Sequence, residues 1–192
     1  IEHLNKIEID FMGFIFYQKS PRYQNKSLIL SNISKYKVGV FVNEDFESIR
    51  DKILKQNLTH VQLHGDESPS LCKKLMTLVR VIKAFRISQY FDINKTHEYL
   101  ASCDYFLFDT DSDSFGGSGK KFNWDIIKNF TKKKFFLSGG IDLESVDKIQ
   151  KIKKENEYLF AVDINSKFEF SPGVKDIKKI KRFLKKLNDG KF

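Results

Sequence analysis

Cysteine is scarce in this chain. Its 192 residues hold two, Cys72 and Cys103, on separate elements and without the paired spacing of a zinc site. Such usage suits a reducing cytoplasm. Long apolar runs are lacking too, so no membrane span is expected, and no segment reads as a secretory signal. No linker divides the chain, and with 41% apolar content residues 1–192 are expected to bury a sizeable core as a single domain. Acid is the minority charge, 25 Asp and Glu against 34 Lys and Arg, a net +9. That balance raises the question of nucleic acid. Yet the lysines are spread over almost every helix candidate. The densest clusters, Lys132-Lys133-Lys134 and Lys175 to Lys186, sit at helix ends or on solvent faces without aromatic stacking positions interleaved on those faces. They read as solvated faces, so neither a nucleic-acid nor a membrane partner is expected.

What the chain does have is repetition. Seven short apolar runs recur: Phe11 to Phe16, Val38 to Val42, His60 to His64, Arg80 to Phe85, Tyr105 to Asp109, Phe135 to Gly140 and Leu159 to Ile164. Polar segments with helical spacing follow several of them, at Asp45 to Asn57, Pro69 to Leu78, Asn123 to Phe130, Asp142 to Lys153 and Lys175 to Leu187. Ser68 precedes Pro69 as an N-cap precedes a first-turn proline, and Asp142, Ser145 and Asp147 mark another helix start. The last helix carries Ile177, Ile180, Phe183, Leu184 and Leu187 on one stripe. Repeated βα units point to an α/β fold with a parallel sheet.

Polar residues and glycines gather at the C-terminal ends of these runs: Asn43, Gln62 with His64 and Gly65, Lys83, Asp109, Ser138-Gly139-Gly140, and Asp163 with Asn165 and Ser166. A (βα)8 barrel concentrates its chemistry in this way, on the loops after the strands. A flavodoxin-like open sheet is the alternative, and it requires a switch point and fewer strands. The most telling segment joins the strand Tyr105-Phe106-Leu107-Phe108 to Asp109 and then to Gly116-Gly117-Ser118-Gly119-Lys120. Glycines allow close backbone approach and Lys120 supplies positive charge, so an anionic small molecule is the natural guest.

Taken in order, the motifs Gly13-Phe14-Ile15-Phe16, Ser20-Pro21-Arg22-Tyr23, Gly39-Val40-Phe41-Val42-Asn43, Val61-Gln62-Leu63-His64-Gly65, the Asp109 loop, Leu137-Ser138-Gly139-Gly140 and Ala161-Val162-Asp163 resemble the phosphoribosylanthranilate isomerases over nearly the whole chain. The resemblance implies an Amadori rearrangement in tryptophan biosynthesis, on a small phosphorylated substrate, with no metal or organic cofactor, in a cytoplasmic monomer or homodimer. It implies that Asp109 is the general acid that protonates the ribose ring oxygen, and an apolar strand end would raise its pKa in the direction this needs. Arg22 matches the position that grips the anthranilate carboxylate. Gly139 and Gly140 match the phosphate loop. Gln62, His64, Gly117, Asp163, Asn165 and Ser166 are expected to line the substrate site. His60, at the other end of the His64 run, reads as structural.

Two departures qualify the resemblance. Family members open with a strand ending in a Lys-Ile-Cys-Gly-like motif whose cysteine is the general base. Here Ile1 to Ile9 reads as the latter part of the first helix, so that strand is expected to be missing from the chain, leaving β edges at Phe11 to Phe16 and Leu159 to Ile164. Neither cysteine substitutes for the base. Cys103 lies six residues before Asp109, toward the opposite mouth, and Cys72 falls inside a helix candidate as a small buried hydrophobe. On this reading the chain is a fragment or a truncated frame that lacks activity by itself, and an inactive remnant with at most a binding role is the alternative function. The second departure is Asn165-Ser166-Lys167, where the family usually has two serines and a glycine.

Overall fold

The computed structural model describes residues 1–24, 30, 32–110 and 124–189. Within them a strand forms at each of the seven apolar runs, with helices after most: α1 (Glu2–Asn5), β1 (Phe11–Ile15), β2 (Tyr36–Phe41), α2 (Phe46–Gln56), β3 (His60–Leu63), α3 (Pro69–Leu75), β4 (Arg80–Ile87), β5 (Tyr105–Thr110), α4 (Asp125–Lys128), β6 (Phe135–Ser138), α5 (Val146–Glu155), β7 (Leu159–Val162), β8 (Glu169–Ser171), β9 (Val174–Lys175) and α6 (Ile177–Asp189). The strand order β1-β2-β3-β4-β5-β6-β7 follows the sequence. A flavodoxin-like sheet reverses direction at a switch point, and this order has none. Sequential parallel strands with helices between them are (βα)8-barrel topology.

The chain divides into two compact units, residues 1–84 with 98–104, and residues 85–97 with 105–192. In the first unit β1 pairs β2, β2 pairs β3 and β3 pairs β4, all parallel. All four residues of β3 are buried, as expected of a strand covered on both faces. Asp45 caps α2 by accepting the Ser48 N–H, and Asn57 closes that helix with φ +49. Ser68 caps α3 with Pro69 in the first turn, as its sequence indicates. The opening helix is shorter than the reading of Ile1 to Ile9 requires, because only Glu2–Asn5 is helical and Ile7 turns into the core.

In the second unit β5 pairs β6 and β6 pairs β7, again parallel. Phe106, Leu107 and Phe108 are fully buried, and Phe108 packs edge-on to Phe130 at 5.1 Å. Asp142 and Ser145 form a capping box ahead of α5, over a single 3-10 turn, Leu143–Ser145. The last helix starts at Ile177 rather than Lys175. Pro172 and Gly173, with φ +84 at the glycine, fold residues 169–175 into the antiparallel β8–β9 hairpin and draw Lys175 into a strand. From Ile177 onward the expected stripe holds, with Ile180 and Phe183 buried and the lysines outward.

Candidate active site

In the first unit the polar side chains follow from the β3 register. Gln62 lies opposite Val40 on β2 and Ile82 on β4, and is buried. Its amide Nε2 lies 2.9 Å from His64 Nδ1, within hydrogen-bond reach. His64 is half-buried and its backbone N–H is held by the Phe41 carbonyl at 2.9 Å. Arg22 is half-buried, in a turn where its backbone N–H donates to Ser20 Oγ at 3.1 Å.

Beneath this lies a network that the sequence reading missed. Glu67 accepts from the backbone N–H of Asn43 at 2.9 Å and of Gly65 at 3.0 Å, and Lys83 Nζ donates to its Oε2 at 2.9 Å. Lys83 also donates to the Leu63 carbonyl at 3.2 Å and the Gly65 carbonyl at 2.6 Å. Tyr99 Oη donates to the Glu67 carbonyl at 3.0 Å. A Cβ at Gly65 would run into the Asn43 side chain and backbone N, so only glycine fits there. Lys83 was legible as a polar strand residue. Glu67 was not, since an acid before a helix cap ordinarily reads as solvated.

His60 sits away from this network, with Nδ1 at 2.9 Å from Thr59 Oγ1 and its ring edge-on to Phe11 and Tyr36. Burial lowers its pKa below the usual 6.5, with Asp104 opposing and Arg80 adding to the shift. This is a structural histidine, as its place at the start of β3 suggested. Both cysteines are fully buried. Burial raises the Cys72 thiol to about 11, and Cys103 Sγ donates to the Tyr99 carbonyl at 3.3 Å. Neither is a thiolate poised for proton transfer.

In the second unit Asp109, next to last in β5 and half-buried, lies in register with Ser138 at the end of β6. Ser138 Oγ donates to Asp163 Oδ2 at 3.3 Å, and the Asp163 N–H donates to the Leu137 carbonyl at 2.8 Å. Gly139 and Gly140 follow with φ +88 and +61, both in the left-handed region that favours glycine. Asn165 is half-buried and its Oδ1 accepts from Lys175 Nζ at 2.6 Å, while Ser166 and Lys167 are exposed. The acid, the paired glycines, Asp163 and Asn165 therefore follow neighbouring strands of one sheet edge. Gly117, with the rest of residues 111–123, lies outside the described residues.

Comparison with known proteins gives a consistent picture. A family model for N-(5'phosphoribosyl)anthranilate (PRA) isomerase matches residues 1–186. The N-(5'-phosphoribosyl)anthranilate isomerase of Parabacteroides distasonis is 39% identical over 195 residues, spanning 97% of this chain and 87% of the relative. That of Phocaeicola vulgatus is 40% identical over 191 residues, spanning 97% and 92%. Among solved structures, monomers generated from the dimeric phosphoribosylanthranilate isomerase of Thermotoga maritima match with a TM-score of 0.79 and 34% identity, over 93% of this chain and 87% of that one. A phosphoribosylanthranilate isomerase in complex with reduced 1-(o-carboxyphenylamino)-1-deoxyribulose 5-phosphate matches with a TM-score of 0.76 and 34% identity, over 94% and 88%.

Proposed function

This chain belongs to the N-(5'-phosphoribosyl)anthranilate isomerase family, and on that premise we propose how its own residues serve the aldose-to-ketose rearrangement of tryptophan biosynthesis. Asp109 is the general acid. It gives a proton to the ribose ring oxygen as the ring opens, and a base then takes the proton from the carbon next to the anomeric centre, so that the enol form relaxes to the ketose. No base is assigned to Cys72 or Cys103, because both are buried within the first unit. Arg22 grips the anthranilate carboxylate with its planar guanidinium. The N–H groups of Gly139 and Gly140, with Asn165 and Ser166, hold the phosphate, and Asp163, Gln62 and His64 line the remainder of the substrate site, together with Gly117.

The observation that carries this reading is the register of Asp109 with Ser138, directly ahead of the two left-handed glycines. That register supports the reading, since with Asp109 as the proton donor and the glycine backbone as the anion site the two groups that a phosphosugar isomerase needs would be neighbours. The reading takes residues 1–192 as one barrel-type domain of a cytoplasmic monomer or homodimer that acts on a small phosphorylated substrate without a cofactor. The remnant alternative has no observation of its own in its favour. The test is loss of phosphoribosylanthranilate fluorescence, followed with this chain and with a version extended by whatever is encoded upstream. Turnover in either supports the reading. Inactivity of both, with each folded, overturns it.

A further inference from the structure

The amide of Asn165 has two unlike ends, and one of them is spoken for. Its Oδ1 accepts from Lys175 Nζ at 2.6 Å, and the same ammonium donates to Glu169 Oε1 at 2.9 Å. The Glu169 side chain is 3% exposed and also takes the Gly173 N–H at 3.2 Å, so the lysine is anchored by the β8–β9 hairpin. An ammonium only donates. Facing it, Asn165 presents oxygen, and Nδ2 with its two N–H donors points away from the lysine. Among the described residues nothing accepts from that Nδ2.

This matters because of where Asn165 stands. The Leu137–Val162 pairing and the Asp163 N–H to the Leu137 carbonyl bring the end of β7 beside the end of β6, so the segment Asp163 to Asn165 leaves the sheet next to Ser138-Gly139-Gly140. A serine hydroxyl in such a loop rotates freely and donates to a phosphate oxygen unaided. An asparagine does not, since its amide can equally present the oxygen end, which repels an anion. We propose that Lys175 is a positioning residue that locks the Asn165 amide with its donors toward the substrate phosphate. The proposal rests on the proposed function for its substrate, and it explains how an asparagine at this place can serve a phosphate loop.

The probe is inorganic phosphate, titrated into the chain while the Asn165 side-chain N–H2 signals are followed by 1H–15N NMR and the Kd is read from the shifts. In the unaltered chain those signals move and saturate with phosphate. Lys175→Met weakens phosphate binding about tenfold, the loss of one charge-assisted contact. In an Asn165→Ser background, followed on the Gly139 and Gly140 amide signals, the same Lys175→Met change alters the Kd by less than about twofold, because a hydroxyl needs no orienting partner. Equal weakening in both backgrounds would mean that Lys175 acts only through charge or folding, and the proposal fails. Lys175→Met leaves Glu169 without its cation, so a second variant decides if that protein does not melt cooperatively. Asn165→Asp keeps the pairing with Lys175 and the fold, yet replaces the donors with a carboxylate oxygen, and should lose at least about tenfold in phosphate affinity. Unchanged affinity overturns the proposal. Phosphate binding with this coupling but without turnover of phosphoribosylanthranilate in either this chain or its extended version leaves the positioning role standing and removes the isomerase reading. Turnover with Asn165 signals indifferent to phosphate does the reverse.

Discussion

Lys83 Nζ lies 2.9 Å from Glu67 Oε2, and the two side chains are 3% and 1% exposed. A pair so buried has lost its hydration, and it is held by compensating bonds: Glu67 takes backbone N–H groups from Asn43 and Gly65, and Lys83 donates to two carbonyls. Its structural effect is to tie the chain after β2 to the chain after β3, immediately beyond His64.

Removing one partner should therefore hurt more than removing both. Glu67→Gln or Lys83→Met leaves a charge uncompensated in the interior and should cost about 3–5 kcal/mol, whereas the double change Glu67→Gln/Lys83→Met leaves no charge of the pair buried and should recover much of that loss. Urea unfolding of the four proteins measures the coupling. Additive losses would show that the pair acts as two independent groups.

His60 should give the stability a pH dependence of known sign. Its folded pKa lies below the 6.5 of the unfolded chain because burial disfavours the imidazolium. Between the two values the unfolded chain binds more protons, so the contribution is fully present above about pH 6.5 and is lost as the pH falls from there toward the folded pKa. Unfolding free energy measured from pH 7.5 down to pH 5 should fall, and His60→Gln should flatten that slope. Imidazole NMR of His60 gives the same answer directly, and a titration at or above 6.5 would contradict it.

Both thiols should be silent in the native protein. Cys72 is raised to about 11 by burial and Cys103 is inaccessible, so at pH 8 a thiol reagent should modify neither on the time scale on which it modifies both in denaturant. Rapid native labelling of either cysteine would reopen the question of whether it can serve as a base.

Asp109→Asn should separate chemistry from folding. The side chain is half-buried at a strand end, so the amide should fit with little change in melting temperature, while kcat falls by about 10²–10⁴-fold through loss of the proton donor. Retained kcat would remove Asp109 from the mechanism.

Much of the fold was legible because its signals are local. The run Tyr105 to Phe108 reads as a doubly covered strand from four consecutive apolar residues, and its interior is fully buried. Asp45, Ser68 and Asp142 cap helices through bonds that span three residues, a distance at which the sequence order nearly dictates the contact. The end of α1 and the start of α6 were misjudged for the opposite reason. At Lys175 the hairpin turn and the partner Glu169 outweighed helical spacing, and the short α1 ends where Ile7 turns into the core.

The sequence by itself determined the alternation of strands and helices, the caps, and the gathering of polar residues and glycines at strand ends, because each depends on periodicity or on neighbours within a few positions. Tertiary structure alone decided which charges are paired. Glu67 finds Lys83 from 16 residues away and Glu169 finds Lys175 from 6, and nothing in the spacing of either pair distinguishes it from the many lysines and acids that remain in water. A buried charge is tolerated only where strand register delivers a partner and enough hydrogen bonds to replace its hydration, and that register exists only once the sheet has formed.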